Sequence, residues 1–109
     1  MGIFEIKKDS AHKFRFNLKA SNGQIILSSE AYESKSGCVN GIQAVAANSL
    51  IDSRYDRKKS TQGESYFTLK ASNGQVIGIS EMYSSEIAME NGIASVKKNA
   101  PDANVEDLT

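Results

Sequence analysis

A chain of 109 residues holds enough apolar side chains for one core of ordinary size, since a domain of this length buries roughly two thirds of its unfolded surface. Its 13 basic and 13 acidic residues cancel, which excludes a global field that would recruit nucleic acid or an anionic membrane. The one cysteine, Cys38, has no partner within the chain, no run reaches the roughly 18 apolar residues of a membrane span, and MGIFEIKKDS has no signal-peptide apolar region. A cytoplasmic monomer that does not engage membranes is expected.

The first element, Phe4 to Lys8, reads as a short strand leading into a loop around His12. In Phe14-Arg15-Phe16-Asn17-Leu18-Lys19 apolar residues fall on alternate positions, the pattern of a strand with one buried and one wet face. Ser-Asn-Gly follows, where Asn22 and Gly23 suit the positive φ of a tight hairpin turn, and Ile25 to Leu27 form the return strand. Ser34 then caps a helix whose apolar stripe is Cys38, Ile42 and Val45. Asn48 stands where a left-handed residue is expected to close it.

The same order then recurs. LKASNGQ occurs at Leu18 to Gln24 and again, unchanged, at Leu69 to Gln75; at this offset of 51 residues, 20 of the 46 positions from Phe4 to Ser49 are identical. Tyr55 to Lys59, the strand through Phe67 and Leu69, the turn at Asn73-Gly74 and the strand Val76 to Ile79 therefore repeat the first unit. A second helix follows, capped by Ser85, striped by Met89, Ile93 and Val96, and stopped at Asn99 before Pro101. Asn104 to Leu108 either adds a short edge strand or frays.

A three-stranded sheet with one helix buries too little to offset chain entropy, so the two units should merge. The expected α+β fold is one domain of two β-β-β-α repeats, 1–52 and 53–109. They share a single antiparallel sheet, with both helices on one face about a pseudo-two-fold axis. Gly41 and Gly92 interrupt the helices, and a mid-helix glycine costs about 1 kcal/mol relative to alanine. Keeping it twice points to close packing of helix on sheet or helix on helix.

No constellation in the sequence names a reaction. Lys19, Lys70, Glu30, Glu81, Tyr32 and Tyr83 are the repeated groups able to do chemistry, but cross-strand ion pairs and tyrosines anchoring the strand-to-helix corner account for them without catalysis. His12 is the only histidine, and Cys38 aligns with Met89 on a helix stripe, so neither a metal site, nor a cofactor site, nor a catalytic triad is expected. The candidate binding residues are Arg15, Lys19, Tyr66 and Lys70 on the open sheet face, with Lys58 and Lys59 from the run Arg54 to Lys59. A non-enzymatic module with a protein or small-molecule partner is the expected function. A nucleic-acid-binding protein using a basic sheet face is the alternative, and an enzyme of unknown reaction the third.

The motifs F-x-L-K-A-x-N-G at Phe16 and Phe67, S-E-x-Y-x-S at Ser29 and Ser80, N-G-I at Asn40 and Asn91, and V-K-x-N at Val96 together resemble the YegP-like family of small bacterial proteins. The resemblance covers nearly the whole chain and implies two pairing β-β-β-α units. It implies no activity, because none is assigned to that family.

Overall fold

The computed structural model describes residues 2–109. Repeat 1 supplies β1 (Ile3–Lys8), β2 (Phe14–Lys19), β3 (Ile25–Ser28) and α1 (Lys35–Asn48). A 3-10 turn at Asp52–Arg54 passes directly into β4 (Tyr55–Lys59), followed by β5 (Ser65–Lys70), β6 (Val76–Ile79), α2 (Glu86–Asn99) and β7 (Asn104–Asp107). All seven strands form one sheet, ordered β4-β5-β6-β3-β2-β1-β7.

The alternation in sequence becomes two faces. Phe4, Phe16, Leu18, Leu27, Phe67 and Leu69 point at the helices and are at most 1 % exposed, and the stripes Cys38-Ile42-Val45 and Met89-Ile93-Val96 close over them. Each such side chain contributes about 1.5–3 kcal/mol by leaving water. The helices do not stay within their own repeats. α1 packs on β2 and also on β5 and β6; α2 packs on β5 and also on β3. Between the halves the sheet itself is thin, a single ladder pair Ser28↔Ile79, so the helices carry much of the union.

Where repeat 1 has Leu27, repeat 2 has Gly78. A Cβ on Gly78 would lie 2.5 Å from Leu27 Cδ2, so the leucine crosses the seam into space that only glycine leaves. One large and one small residue thus share a place that two leucines would overfill.

Three expectations need correction. The sheet is mixed, because β7 runs parallel to β1. Each helix ends beside the start of a first strand, α1 at β4 and α2 at β1, where the Asn99 side chain sits against Gly2 and Asn104 N–H donates to the Gly2 carbonyl at 3.2 Å. The place beside β2 is already filled by β1, so the chain leaving α2 continues alongside β1 in the same direction. Asn48 and Asn99 are not left-handed. The helices close on Ser49 and Ala100 in right-handed conformation, and each asparagine amide turns back to the carbonyl four residues earlier, Ala44 or Ser95, at 2.8 Å. In the hairpins only Gly23 and Gly74 have positive φ; Asn22 and Asn73 instead accept from the N–H two residues on at 3.0 Å.

The loops after β1 and β4 use the same turn, closed by His12 N–H to Asp9 O and Gly63 N–H to Ser60 O, both at 3.0 Å. Gly63 takes φ 83°, and His12 must take φ 62° in its place. A left-handed non-glycine residue costs roughly 1–2 kcal/mol, partly offset by the unfolded-state entropy of glycine. His12→Gly should therefore stabilise the chain by about 0.5–1 kcal/mol in urea denaturation; a loss of stability would mean that the imidazole makes a contact of its own.

Candidate functional site

On the face away from the helices the charges are organised by the repeat. Glu5 Oε1 lies 3.1 Å from Lys19 Nζ and 3.8 Å from Lys7 Nζ, without the alignment of a hydrogen bond. At the equivalent place Asp56 Oδ2 lies 3.2 Å from Lys70 Nζ and 3.7 Å from Lys58 Nζ, and Lys70 holds the Asp56 carboxyl below its ordinary range. Each repeat thus sets one carboxylate between two lysines. Arg15 is taken by Asp9 at 2.9 Å, whose own pKa is lowered chiefly by that bond. Lys19 and Lys70 do form cross-strand ion pairs, though with Glu5 and Asp56 and not with the repeated glutamates.

Glu30 and Glu81 are left over. Both are exposed, and neither has an ion-pair partner among the described residues. They stand at two notches that open where β3 and β6 diverge beyond their single pair. One notch, of about 480 Å³, is lined by Lys19, Gly23, Gln24, Ile25 and Ile26 of repeat 1 with Glu81 and Tyr83 of repeat 2. The other, of about 300 Å³, joins Gln75, Val76 and Ile77 of repeat 2 to Glu30, Ala31 and Tyr32 of repeat 1. In each, the hairpin of one repeat meets the strand-to-helix corner of its twin.

The rest of that corner is structural. Ser29 Oγ accepts from Phe16 N–H at 2.9 Å and donates to the Glu30 carbonyl at 2.8 Å; Ser80 does the same for Phe67 and Glu81. Ser34 and Ser85 accept from Gly37 N–H and Ala88 N–H as helix caps. Tyr32 and Tyr83 pair as lone bridges with Phe14 and Ser65 and then lay their rings over the helices. The nearest partner of each mid-helix glycine is the corner tyrosine: a Cβ on Gly41 would lie 2.8 Å from Tyr32 Cζ and 3.1 Å from Phe16 Cε2 of β2, and one on Gly92 2.7 Å from Tyr83 Cζ, so the close packing is helix on tyrosine, joined at Gly41 by the sheet. Burial raises both phenol pKa values, as it raises that of the Cys38 thiol inside the core.

The six predicted binding residues do not converge. Arg15, Lys19, Tyr66, Lys70 and Lys58 share the open face but are spread from β2 to β4, whereas Lys59 faces the helix side, 3.7 Å from Glu86. On that side Arg57 binds Glu90 through Nε at 2.5 Å and Nη2 at 3.1 Å, and also reaches Asp52 at 3.1 Å. Asp52 further takes Lys97 at 2.9 Å, which with Arg57 lowers its pKa. The sequence reading missed Glu5 and Asp56, although each precedes a lysine by two positions in both repeats. It also missed Gln24 and Gln75, which lay hidden in the turn motif.

Two β-β-β-α units fused across one seam, with two equivalent notches at that seam, define a tandem-repeat α+β protein. A family model described as a domain of unknown function, DUF1508, matches residues 9–56 and 60–107, and the chain belongs to that family. It is 55 % identical over 109 residues to the UPF0339 protein YegP of Yersinia pestis, covering all of this chain and 97 % of the relative. It is 52 % identical over 107 residues to a UPF0339 protein in the ptx operon 5' region of Stutzerimonas stutzeri, covering 98 % and 96 %. The solution NMR structure of a UPF0339 protein from Shewanella oneidensis superposes with a TM-score of 0.94 at 48 % identity, covering 99 % of this chain and 92 % of that one. That of the protein of unknown function yegP from E. coli gives 0.95, also at 48 % identity, over 99 % and 93 %. The YegP-like resemblance and the α+β tandem fold are thereby established; the relatives carry no assigned activity. No helix among the described residues is long and apolar enough to cross a membrane.

Proposed function

We propose that this chain is a small non-enzymatic binding module of the bacterial cytoplasm, taking a protein or small-molecule partner on its uncovered sheet face. The observation that carries the reading is the pair Glu30 and Glu81, kept in both repeats at the mouths of the two notches with no ion pair among the described residues to occupy them. Glu5 and Asp56 each offset one of the two lysines beside them, so the surplus on the face is one positive charge at each end of the sheet, too dispersed to favour nucleic-acid binding. The shifted thiol and phenols favour it over catalysis, since burial moves Cys38, Tyr32 and Tyr83 away from their nucleophilic forms. Bacterial relatives and a free, buried Cys38 support the compartment.

The test is to titrate the ¹⁵N-labelled chain with fractionated bacterial extract and follow its amide spectrum. Shifts should gather at Gln24, Glu30, Gln75 and Glu81, and Glu30→Gln with Glu81→Gln should weaken binding at least tenfold. Shifts confined to the β4 edge, or binding only to nucleic acid with a steep salt dependence, would overturn the reading.

A further inference from the structure

The two outer edges of the sheet are not treated alike. β1 is covered by β7, whereas β4, its counterpart in repeat 2, has no strand beyond it among the described residues. The repeat identifies which groups are left open. The Gly2 and Ile6 carbonyls accept from Asn104 and Leu108 N–H, and Ile6↔Phe16 corresponds in register to Arg57↔Phe67. The Arg57 and Lys59 backbone groups and the Tyr55 carbonyl therefore face outward, unpaired by any described strand, while Tyr55 N–H is held by the Asp52 carbonyl of the preceding turn.

The chain's own β7 is poorly matched to this edge. Asp107 of β7 binds Lys35 at 2.8 Å beside β1, but the residue equivalent to Lys35 is Glu86, so an acidic strand placed in the same way on β4 would meet a carboxylate. The apolar residues Ile6 and Val39 of the covered corner are likewise replaced by Arg57 and Glu90.

β4 matches itself. We propose that β4 pairs antiparallel with β4 of a second copy about a two-fold axis through Arg57, extending the sheet across a homodimer. In this register Arg57 faces its own copy, Tyr55 faces Lys59, and Asp56 faces Lys58. About four backbone hydrogen bonds form, two between the Arg57 residues and one from each Lys59 N–H to the opposite Tyr55 carbonyl, since Tyr55 N–H stays with Asp52. On the open face the two Asp56–Lys58 pairs occupy non-hydrogen-bonded positions, where opposing side chains come closest and opposite charges favour pairing. Tyr55 meets Lys59, and each Arg57 enters with its charge already offset by Glu90. Moving the axis to Asp56, Lys58 or Lys59 removes both Asp56–Lys58 pairs, so these two pairs favour the register through Arg57. Such an isologous contact is closed by its own two-fold symmetry. Five residues of edge make a small interface, which places association in the micromolar range or weaker and leaves a monomer in dilute solution. The competing account is that charged side chains on an edge strand keep copies apart.

Charge reversal separates the two accounts. Asp56→Lys sets a lysine opposite Lys58 of the second copy, and Lys58→Asp sets an aspartate opposite its Asp56, so by sedimentation equilibrium each variant alone should dimerise at least tenfold more weakly than the parent. Mixed in equal amounts, the two variants restore both opposite-charge pairs and should form a heterodimer at parental strength, seen by sedimentation with one partner fluorescently labelled. Thermal melts of each variant confirm that it is folded. A parent that stays monomeric up to millimolar concentration overturns the proposal, as does a mixture no more associated than its components. Neither outcome bears on the notches, which lie at the seam on the far side of β5 and β6.

Discussion

Residues 1–52 produced alone should show no cooperative unfolding transition in dilute solution, and residues 53–109 alone should show none either, while an equimolar mixture recovers the native fold. The reason lies in how the helices cross. α1 buries part of its stripe on β5 and β6, and α2 part of its own on β3, so dividing the chain strips apolar area from both helices at once. Small domains survive on a net 5–15 kcal/mol, and uncovering several side chains worth about 1.5–3 kcal/mol each exceeds that margin. Self-pairing does not rescue either half. A dimer of the first would bring Leu27 against a second Leu27 in space that now holds Leu27 over Gly78, and a dimer of the second would leave that space empty. Circular dichroism against urea on each fragment and on the mixture decides the matter. A cooperative monomer from residues 1–52 would remove the basis for treating the shared interior as the stabilising unit.

The parts of this fold that could be read from the sequence were those with local causes. Alternation in Phe14 to Lys19, the serine caps at Ser34 and Ser85, and the stripes through Ile42 and Ile93 each depend on residues a few positions apart. The duplication added that two units must merge. The sheet order could not be read, because one ladder pair at Ser28↔Ile79 leaves almost no pattern in sequence and the helices choose the arrangement. An edge strand at Asn104 to Leu108 was one of the two readings of that segment, but its parallel direction was hidden: Asn104 to Asp107 is exposed throughout and has no alternation, and the direction follows from where α2 ends. At the candidate site, the sequence marked Glu30, Glu81, Tyr32 and Tyr83 as repeated, but not that the repeats exchange them. Each notch takes its hairpin from one unit and its glutamate from the other, a pairing visible only once the seam is formed. Lys19 and Lys70 misled for a related reason. Their carboxylate partners sit on the adjacent outer strands, reached across the ladder by the pairings of β1 with β2 and β4 with β5.

The mid-helix glycines give the second large expected effect, and its sign opposes helix propensity. At a free surface Gly→Ala inside a helix stabilises by about 1 kcal/mol. Gly92→Ala should instead destabilise by about 2 kcal/mol, because the new methyl falls 2.7 Å from Tyr83 Cζ and 3.2 Å from Tyr83 Cε2, and overpacking of this kind costs up to about 3 kcal/mol against the roughly 1 kcal/mol that propensity returns. The ring cannot simply withdraw. Tyr83 N–H donates to the Ser65 carbonyl at 2.8 Å while its own carbonyl accepts from Ser65 N–H at 2.9 Å, which fixes the backbone from which the ring extends. Removing only the hydroxyl is insufficient, since Cζ itself lies within the excluded distance. A double-mutant cycle isolates the contact: Tyr83→Ala will cost stability by itself, but in that background Gly92→Ala should become stabilising, a change of about 3 kcal/mol in the effect of one methyl group. Gly41 with Tyr32 should repeat the result, with Phe16 as a further obstacle at 3.1 Å from the added carbon. Urea denaturation of the four chains in each cycle measures it. Equal effects of Gly92→Ala with and without the Tyr83 ring would show that the glycine is kept for a reason other than the ring lying over it.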